Sequence, residues 1–123
     1  MKLLTHNFMS SRFLKGVNEG YPLRLHVTKM ENRDVEFNAE FVKNIMSKCD
    51  YGALRTACES INEASKLPAN LPDDLSEHDD ILRELHRVLF CIEVIEGELE
   101  CPDTGRRFPI HDSIPNLLVE DNE

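Results

Sequence analysis

The spacing of hydrophobic positions changes period twice along the chain. The opening segment "KLLTHNFMS" (residues 2–10) reads as a strand of mixed alternation, followed by a polar, glycine-containing loop. "YPLRLHVTKM" alternates more regularly, with Leu23, Leu25 and Val27 on one face and Arg24, His26 and Thr28 on the other. That pattern predicts a half-buried strand. "ENRD" then reads as a turn. From residue 37 the spacing becomes helical. "FNAEFVKNIMSKC" places Phe41, Val42, Ile45, Met46 and Cys49 on one face, with Asn38 as N-cap. Asp50 is placed to cap a second helix, "YGALRTACESI", in which Leu54, Ala57, Cys58 and Ile61 line up. "KLPANLPDDLS" is too rich in Pro, Asn and Asp to stay helical. Ser76 and Asp79 form a Ser-x-x-Asp capping pattern ahead of "EHDDILRELHRVLFCIE", whose Ile81, Leu85, Val88, Leu89 and Ile92 make an apolar stripe. Past Gly97 the period returns to two. "GELEC", the turn "PDTG" and "RRFPI" predict a β-hairpin, and a short apolar run (114–119) precedes an acidic tail.

Strand-like segments at both ends with helices between them predict an α+β fold. Residues 1–36 and 93–123 would share one small antiparallel sheet domain, and residues 37–92 would form an inserted helical domain. A chain of 123 residues suits one compact unit or two small ones sharing a core. A sheet of this size has little core of its own and needs a metal, a packed neighbour or a partner. No apolar run approaches the roughly 20 residues of a membrane span. His6 and Asn7 interrupt the first apolar run, and no small-residue cleavage site follows, so a signal peptide is not expected. These features predict a soluble intracellular protein with no membrane partner.

The net charge of −9 sharpens that picture because it is uneven. Residues 1–36 carry six Lys/Arg against four Asp/Glu, residues 37–92 six against ten, and residues 93–123 two against nine. Phosphate backbones are bound by clustered Lys and Arg, so direct nucleic-acid binding is not expected. A nucleic-acid module, the alternative reading, would have to rely on Arg24, Lys29, Arg106 and Arg107. Enzyme signatures are missing: there is no nucleophile elbow, P-loop or dinucleotide fingerprint. His78 and His86 share a helix face but stand about 12 Å apart along it, too far for one metal. His6, His26 and His111 lie on strand-like segments and could meet across a sheet, yet surface positions are expected for them. The carboxylates of "PDDLSEHDD" suit a loop and the positive end of a helix.

The cysteines raise one further question. Cys49, Cys58 and Cys91 sit in helical apolar patterns and read as small buried hydrophobes. Cys101 opens "CPDTGRRFPI", which has the turn of a zinc knuckle, but Thr104 stands where the second thiolate belongs. A structural zinc needs four Cys or His ligands at close spacing, and that count falls short.

Several segments together resemble one family. "MKLLTHNF" at the N-terminus, "YPLRL", "VEFNAEFV" at the start of the insert, "IEGELECP-x-x-G" and "FPI…IPNLL" near the C-terminus are similar, in order, to the eukaryotic multifunctional methyltransferase subunit, the tRNA methyltransferase 112 homologue family. The resemblance covers essentially the whole chain. It implies a zinc-ribbon-like β domain built from both chain ends, with a helical domain inserted. It implies a subunit without catalysis of its own. Such a subunit would form mutually exclusive heterodimers with S-adenosylmethionine-dependent methyltransferases acting on tRNA, 18S ribosomal RNA and a glutamine of the translation termination factor. The cofactor would be bound by the partner enzyme, and the complexes would work in cytoplasm and nucleus.

In the family, a strand of the subunit extends the partner's sheet, and apolar side chains cover an exposed patch. Strand addition works through main-chain hydrogen bonds and so tolerates several partners. Carried over, the partner-binding residues would be Lys2, Leu3, Leu4, Thr5, Asn7 and Phe8 from the first segment. From the last they would be Phe108, Pro109, Ile114, Pro115, Asn116, Leu117 and Leu118. The zinc positions of fungal relatives correspond here to Ser11, Gly16, Cys101 and Thr104, so this chain resembles animal-type members without the full ligand set. In such a metal-free knuckle Cys101 would become a packing residue and Thr104 would offer a hydrogen bond.

Overall fold

A computed structural model describes residues 1–117. Four strands form one antiparallel sheet in the order β1–β2–β3–β4: β1 Arg24–Asn32, β2 Ile92–Glu100, β3 Arg107–His111 and β4 Ile114–Pro115. The register places Leu25 opposite Leu99 and Leu99 opposite Phe108, so one buried apolar row crosses three strands. Gly97 stands opposite Val27, beside an irregularity in β1 between Val27 and Met30. A Cβ at Gly97 would come within 2.2 Å of the His26 carbonyl oxygen, so only glycine fits where these strands approach.

Two helices start where the sequence predicts. The Asn38 side chain accepts from the Phe41 amide at the start of α2 (Ala39–Met46), and Asp50 accepts from Ala53 at the start of α3 (Tyr51–Ser60). Leu54, Ala57, Cys58 and Ile61 are buried in line, as expected. A 3-10 turn (Leu75–Glu77) and α4 (Asp79–His86) follow.

The architecture is α+β, with a four-stranded antiparallel sheet and several helices. One hydrophobic core joins Leu3, Leu25, Leu99 and Phe108 to Val42, Leu54, Leu85 and Leu89. No helix among the described residues is long and apolar enough to cross a membrane.

Several local expectations are corrected. Residues 2–10 do not form a strand: Leu3–Asn7 is a short helix, α1. Its inward residues are Leu3, His6 and Asn7, a helical i, i+3, i+4 spacing in which two of the three are polar. "ENRD" is not wholly a turn, because β1 continues to Asn32 opposite Ile92. The last helical stripe stops sooner than expected. Beyond α4 the chain makes a π-helical turn (Arg87–Cys91), and Ile92 and Val94 are buried strand residues. Ser76 does not cap α4; Asp74 instead caps the 3-10 turn and accepts from the Ser76 amide at 3.0 Å. Phe41 faces outward, 51% exposed, with its ring 5.6 Å from that of Phe90. Cys49 and Cys91 are only half-buried.

Candidate partner-binding surface

The two end segments meet around Met1. Its ammonium donates to the Val94 and Ser113 carbonyls, both at 2.7 Å, and lies 2.5 Å from the Glu93 carboxylate. The Val94 amide donates back to the Met1 carbonyl at 2.8 Å, and Lys2 forms an isolated bridge with Glu93. Residues 1–2 therefore run along β2 as an extra stub of sheet. The Ser113 amide donates to the Ile95 carbonyl at 2.9 Å and fixes the turn that leads into β4. Asp112 and Ser113 both have positive φ there, at 49° and 69°.

The candidate residues divide by orientation. Leu3, Asn7 and Phe108 are buried in the subunit itself. Asn7 joins α1 to the start of α3: its Nδ2 donates to the Asp50 carbonyl at 2.8 Å, and its Oδ1 accepts from the Asp50 amide at 2.9 Å. The Tyr21 hydroxyl donates to the Asn7 carbonyl at 2.7 Å. Lys2 and Leu4 are half-buried, whereas Thr5 and Phe8 are exposed. Pro109 and Asn116 are exposed, and the Asn116 amide donates to the Pro109 carbonyl at 2.9 Å. Pro115 and Leu117 are half-buried, with Leu117 packed on the core. Leu118 lies outside the described residues.

The large outward apolar side chains among the candidates are Phe8, 56% exposed, and Ile114, 68% exposed. Phe13, which the sequence reading did not select, is equally open, with its ring 6.0 Å from that of Phe108. Its place in a polar, irregular loop offers no periodicity to reveal it. β4 is two residues long and forms the outer strand of the sheet next to β3.

The knuckle keeps its turn. The Gly105 amide donates to the Cys101 carbonyl at 2.9 Å, and the Cys101 amide donates to Arg106 at 2.8 Å. Cys101 is buried and its Sγ accepts from the Ser11 hydroxyl at 3.0 Å. Burial works against a thiolate there, but hydrogen bonds from Ser11, Thr104 and Asp103 outweigh it and hold the thiol below its ordinary pKa. Thr104 also accepts from the Arg106 amide at 3.2 Å. Gly16 points into open space, and Gly20 is the constrained glycine of the loop, where a Cβ would lie 2.8 Å from the Arg12 nitrogen. The Asp103 carboxylate accepts from the Asn18 and Glu19 amides at 2.7 and 3.2 Å, which pulls its pKa down.

The histidines do not converge on a site. His6 is buried against the Leu23 carbonyl, contrary to a surface position, and His26 pairs with Glu100 at 2.8 Å. His86 is also buried, 2.7 Å from the Val35 carbonyl. His111 is exposed and lies between Glu96 at 3.0 Å and Asp112 at 3.5 Å, on opposite ring nitrogens. These carboxylates raise its pKa, the Glu96 hydrogen bond contributing most. Of the cations a nucleic-acid module would need, Arg107 faces Glu98 at 3.1 Å and Arg24 faces Glu100 at 3.8 Å. Carboxylates beside them compete with phosphate for the same charge.

A family model described as Trm112p-like protein matches residues 2–113. The chain belongs to the Trm112p-like family. Among curated relatives, a Mus musculus multifunctional methyltransferase subunit TRM112-like protein is 46% identical, with 100% of this chain and 98% of the relative covered. A Caenorhabditis elegans protein of the same name is 44% identical over 100% of this chain and 99% of its own length. The Saccharomyces cerevisiae multifunctional methyltransferase subunit TRM112 is 32% identical, with 97% and 96% covered. The fold is similar to a chain of the solved E. cuniculi Mtq2–Trm112 complex, described as responsible for methylation of the eRF1 translation termination factor. That match has a TM-score of 0.55 at 21% identity, covering 98% of this chain and 99% of the other.

Proposed function

We propose that this chain is a non-catalytic activating and stabilising subunit of S-adenosylmethionine-dependent methyltransferases. It heterodimerises with one enzyme at a time, and its partners act on tRNA, 18S ribosomal RNA and the translation termination factor. The cofactor belongs to the partner. The observation that carries this reading is the meeting of Met1 with Val94 and Ser113 beside the outer strand β4, with Ile114 left outward on that strand and Phe8 outward just after α1. Family relatives are named as multifunctional methyltransferase subunits, which supports it. An exposed strand offers main-chain donors and acceptors to a partner's sheet, and neighbouring apolar side chains add area.

Lys2, Leu4, Thr5, Phe8, Pro109, Ile114, Pro115, Asn116 and Leu117 present this surface, and Leu3, Asn7 and Phe108 hold it from within. Leu118 is assigned to it by the resemblance alone. The sheet half is a zinc-ribbon-like unit (residues 1–36 and 93–123) around an inserted helical unit (37–92). Its knuckle is closed by hydrogen bonds in place of a metal. Cytoplasm and nucleus are the compartments where such partners meet their substrates.

Co-expression with a candidate methyltransferase is expected to raise that enzyme's soluble yield and its S-adenosylmethionine binding. Ile114→Asp should weaken the complex about thirtyfold or more, the scale of an interface hot spot. The melting temperature of the free subunit should barely move, because Ile114 buries little in it. If no methyltransferase gains solubility or cofactor binding, the assignment fails.

A further inference from the structure

The α-amino group of Met1 is a buried cation with a full set of partners. Met1 is 4% exposed. An ammonium has three N–H bonds, and three acceptors surround this one: the Val94 and Ser113 carbonyls, each at 2.7 Å, and the Glu93 carboxylate at 2.5 Å. Glu93 is itself buried, and its other oxygen meets the exposed Arg33 at 3.4 Å. A peptide or acetyl amide in the same place would carry one N–H bond and no charge. Two acceptors would lose their donor, and the buried carboxylate would lose its closest cation.

One of those acceptors belongs to the turn that presents β4. Asp112 and Ser113 join His111 to Ile114 as a two-residue hairpin loop, with φ of 49° and 69°. A loop with both residues at positive φ favours Asn-Gly or Asp-Gly, so Ser113 stands where glycine is preferred. Backbone bonds must hold it there. The Ser113 amide donates to the Ile95 carbonyl at 2.9 Å, and the Ser113 carbonyl accepts from Met1. A further bond to the loop, from the Asp112 amide to the Glu96 carboxylate, is exposed and long at 3.4 Å. β4 adds little hold of its own, because it consists of Ile114 and Pro115, and a proline has no amide proton to donate.

We propose that the free α-amino group of Met1 is a positioning group for the partner-binding strand. It pins the Ser113 carbonyl, keeps the 112–113 turn closed and thereby sets where Ile114 points. Acylating that nitrogen, or extending the chain ahead of it, releases β4. The inference rests on the partner role proposed above for Ile114.

Two forms of the full chain convert the nitrogen to a neutral amide: one with a single glycine added before Met1, and one acetylated at Nα. Amide hydrogen exchange, followed by nuclear magnetic resonance, reads the free subunit. In both forms the Ser113 and Asn116 amides should exchange about tenfold faster or more, while the Cys101 amide, bonded to Arg106 in the knuckle, keeps its rate. Adding Ser113→Gly removes the cost of positive φ and should bring the Asn116 rate back to within about threefold of the unmodified chain. Affinity for a candidate methyltransferase should fall about tenfold in the amide forms and recover with Ser113→Gly. Unchanged exchange at Ser113 overturns the proposal. Faster exchange spread evenly over the chain, without rescue by Ser113→Gly, also overturns it, because the amine would then only stabilise the fold. If neither amide form folds, Glu93→Gln keeps the amine and removes its counter-charge. The same two amides should then exchange faster, and unchanged rates would count against the proposal. If no methyltransferase binds even the unmodified chain, the partner role fails, while the exchange rates still decide whether Met1 positions β4.

Discussion

At the α1 seam, polar side chains make bonds between segments far apart in sequence, buried at His6 and part-buried at Asn7. At the 101–106 knuckle the same task falls to main-chain geometry, one thiol and an exposed carboxylate. Asn7 reaches Asp50 with both a donor and an acceptor, and His6 reaches Leu23. The knuckle is closed by Gly105 and Cys101 bonding along the turn, while Asp103 gathers the amides of residues 18 and 19 from outside. Water can take over an exposed bond but not a buried one. The seam should therefore be the more brittle of the two, and the knuckle the more forgiving except at its buried Ser11–Cys101 bond.

The largest expected break is Asn7→Ala. It strands the Asp50 amide and carbonyl and should remove about 2 kcal/mol from the unfolding free energy, read by urea titration. A loss below about 0.5 kcal/mol would mean that solvent replaces both bonds and the seam is no different from the knuckle.

A smaller effect is expected from Cys101→Ala. The buried sulfur gives up its contacts and the Ser11 hydroxyl bond, for about 1 kcal/mol. The unmodified chain should melt at the same temperature with and without a chelator. A chelator-dependent transition, or stoichiometric zinc in the purified protein, would show that a metal and not hydrogen bonding closes the turn.

The gentlest test is pH, which separates the two regions by window. Burial pushes the pKa of His6 down from 6.5, and the Leu23 hydrogen bond only partly offsets this. The unfolded chain then takes up the proton more readily, so stability is complete above about 6.5 and falls as the medium is acidified below it. Asp103 is held below the usual carboxylate range by amide bonds from Asn18, Glu19 and Gly20. Its contribution is present above that range and is lost only in stronger acid. Asp103→Asn should reduce the strongly acidic component, to which Asp74, Glu96 and Glu100 also contribute, and leave the decline just below neutrality intact. A flat profile between pH 5 and 6.5 would contradict the buried, neutral state of His6.

Helix starts were legible because capping is local: Asn38 and Asp50 sit where a side-chain oxygen meets the third amide onward. β1 was legible through Leu23 and Leu25, but its end was not, since Asn32 is a strand residue only because Ile92 lies opposite. α1 was misread because His6 and Asn7 are inward yet polar, which disguises a helical period as broken alternation. Of the candidate surface, the two segments were legible and the facing of single residues was not. Leu3 and Ile114 look alike in sequence, but one has no exposure and the other is among the most open apolar side chains.

The amino-acid sequence alone determined the helical periods of α2 and α3 with their Asn38 and Asp50 caps, the turn at 102–105, and that a knuckle with one cysteine cannot assemble four thiolates. These are short-range matters, settled by backbone preference and ligand count within a few residues. Only the tertiary structure decided that Met1 meets Val94 and Ser113, that Asn7 clasps Asp50, and that Phe8 and Ile114 are left outward. Those outcomes depend on which distant groups arrive at the same place, and burial there favours a polar side chain only when its partner arrives too.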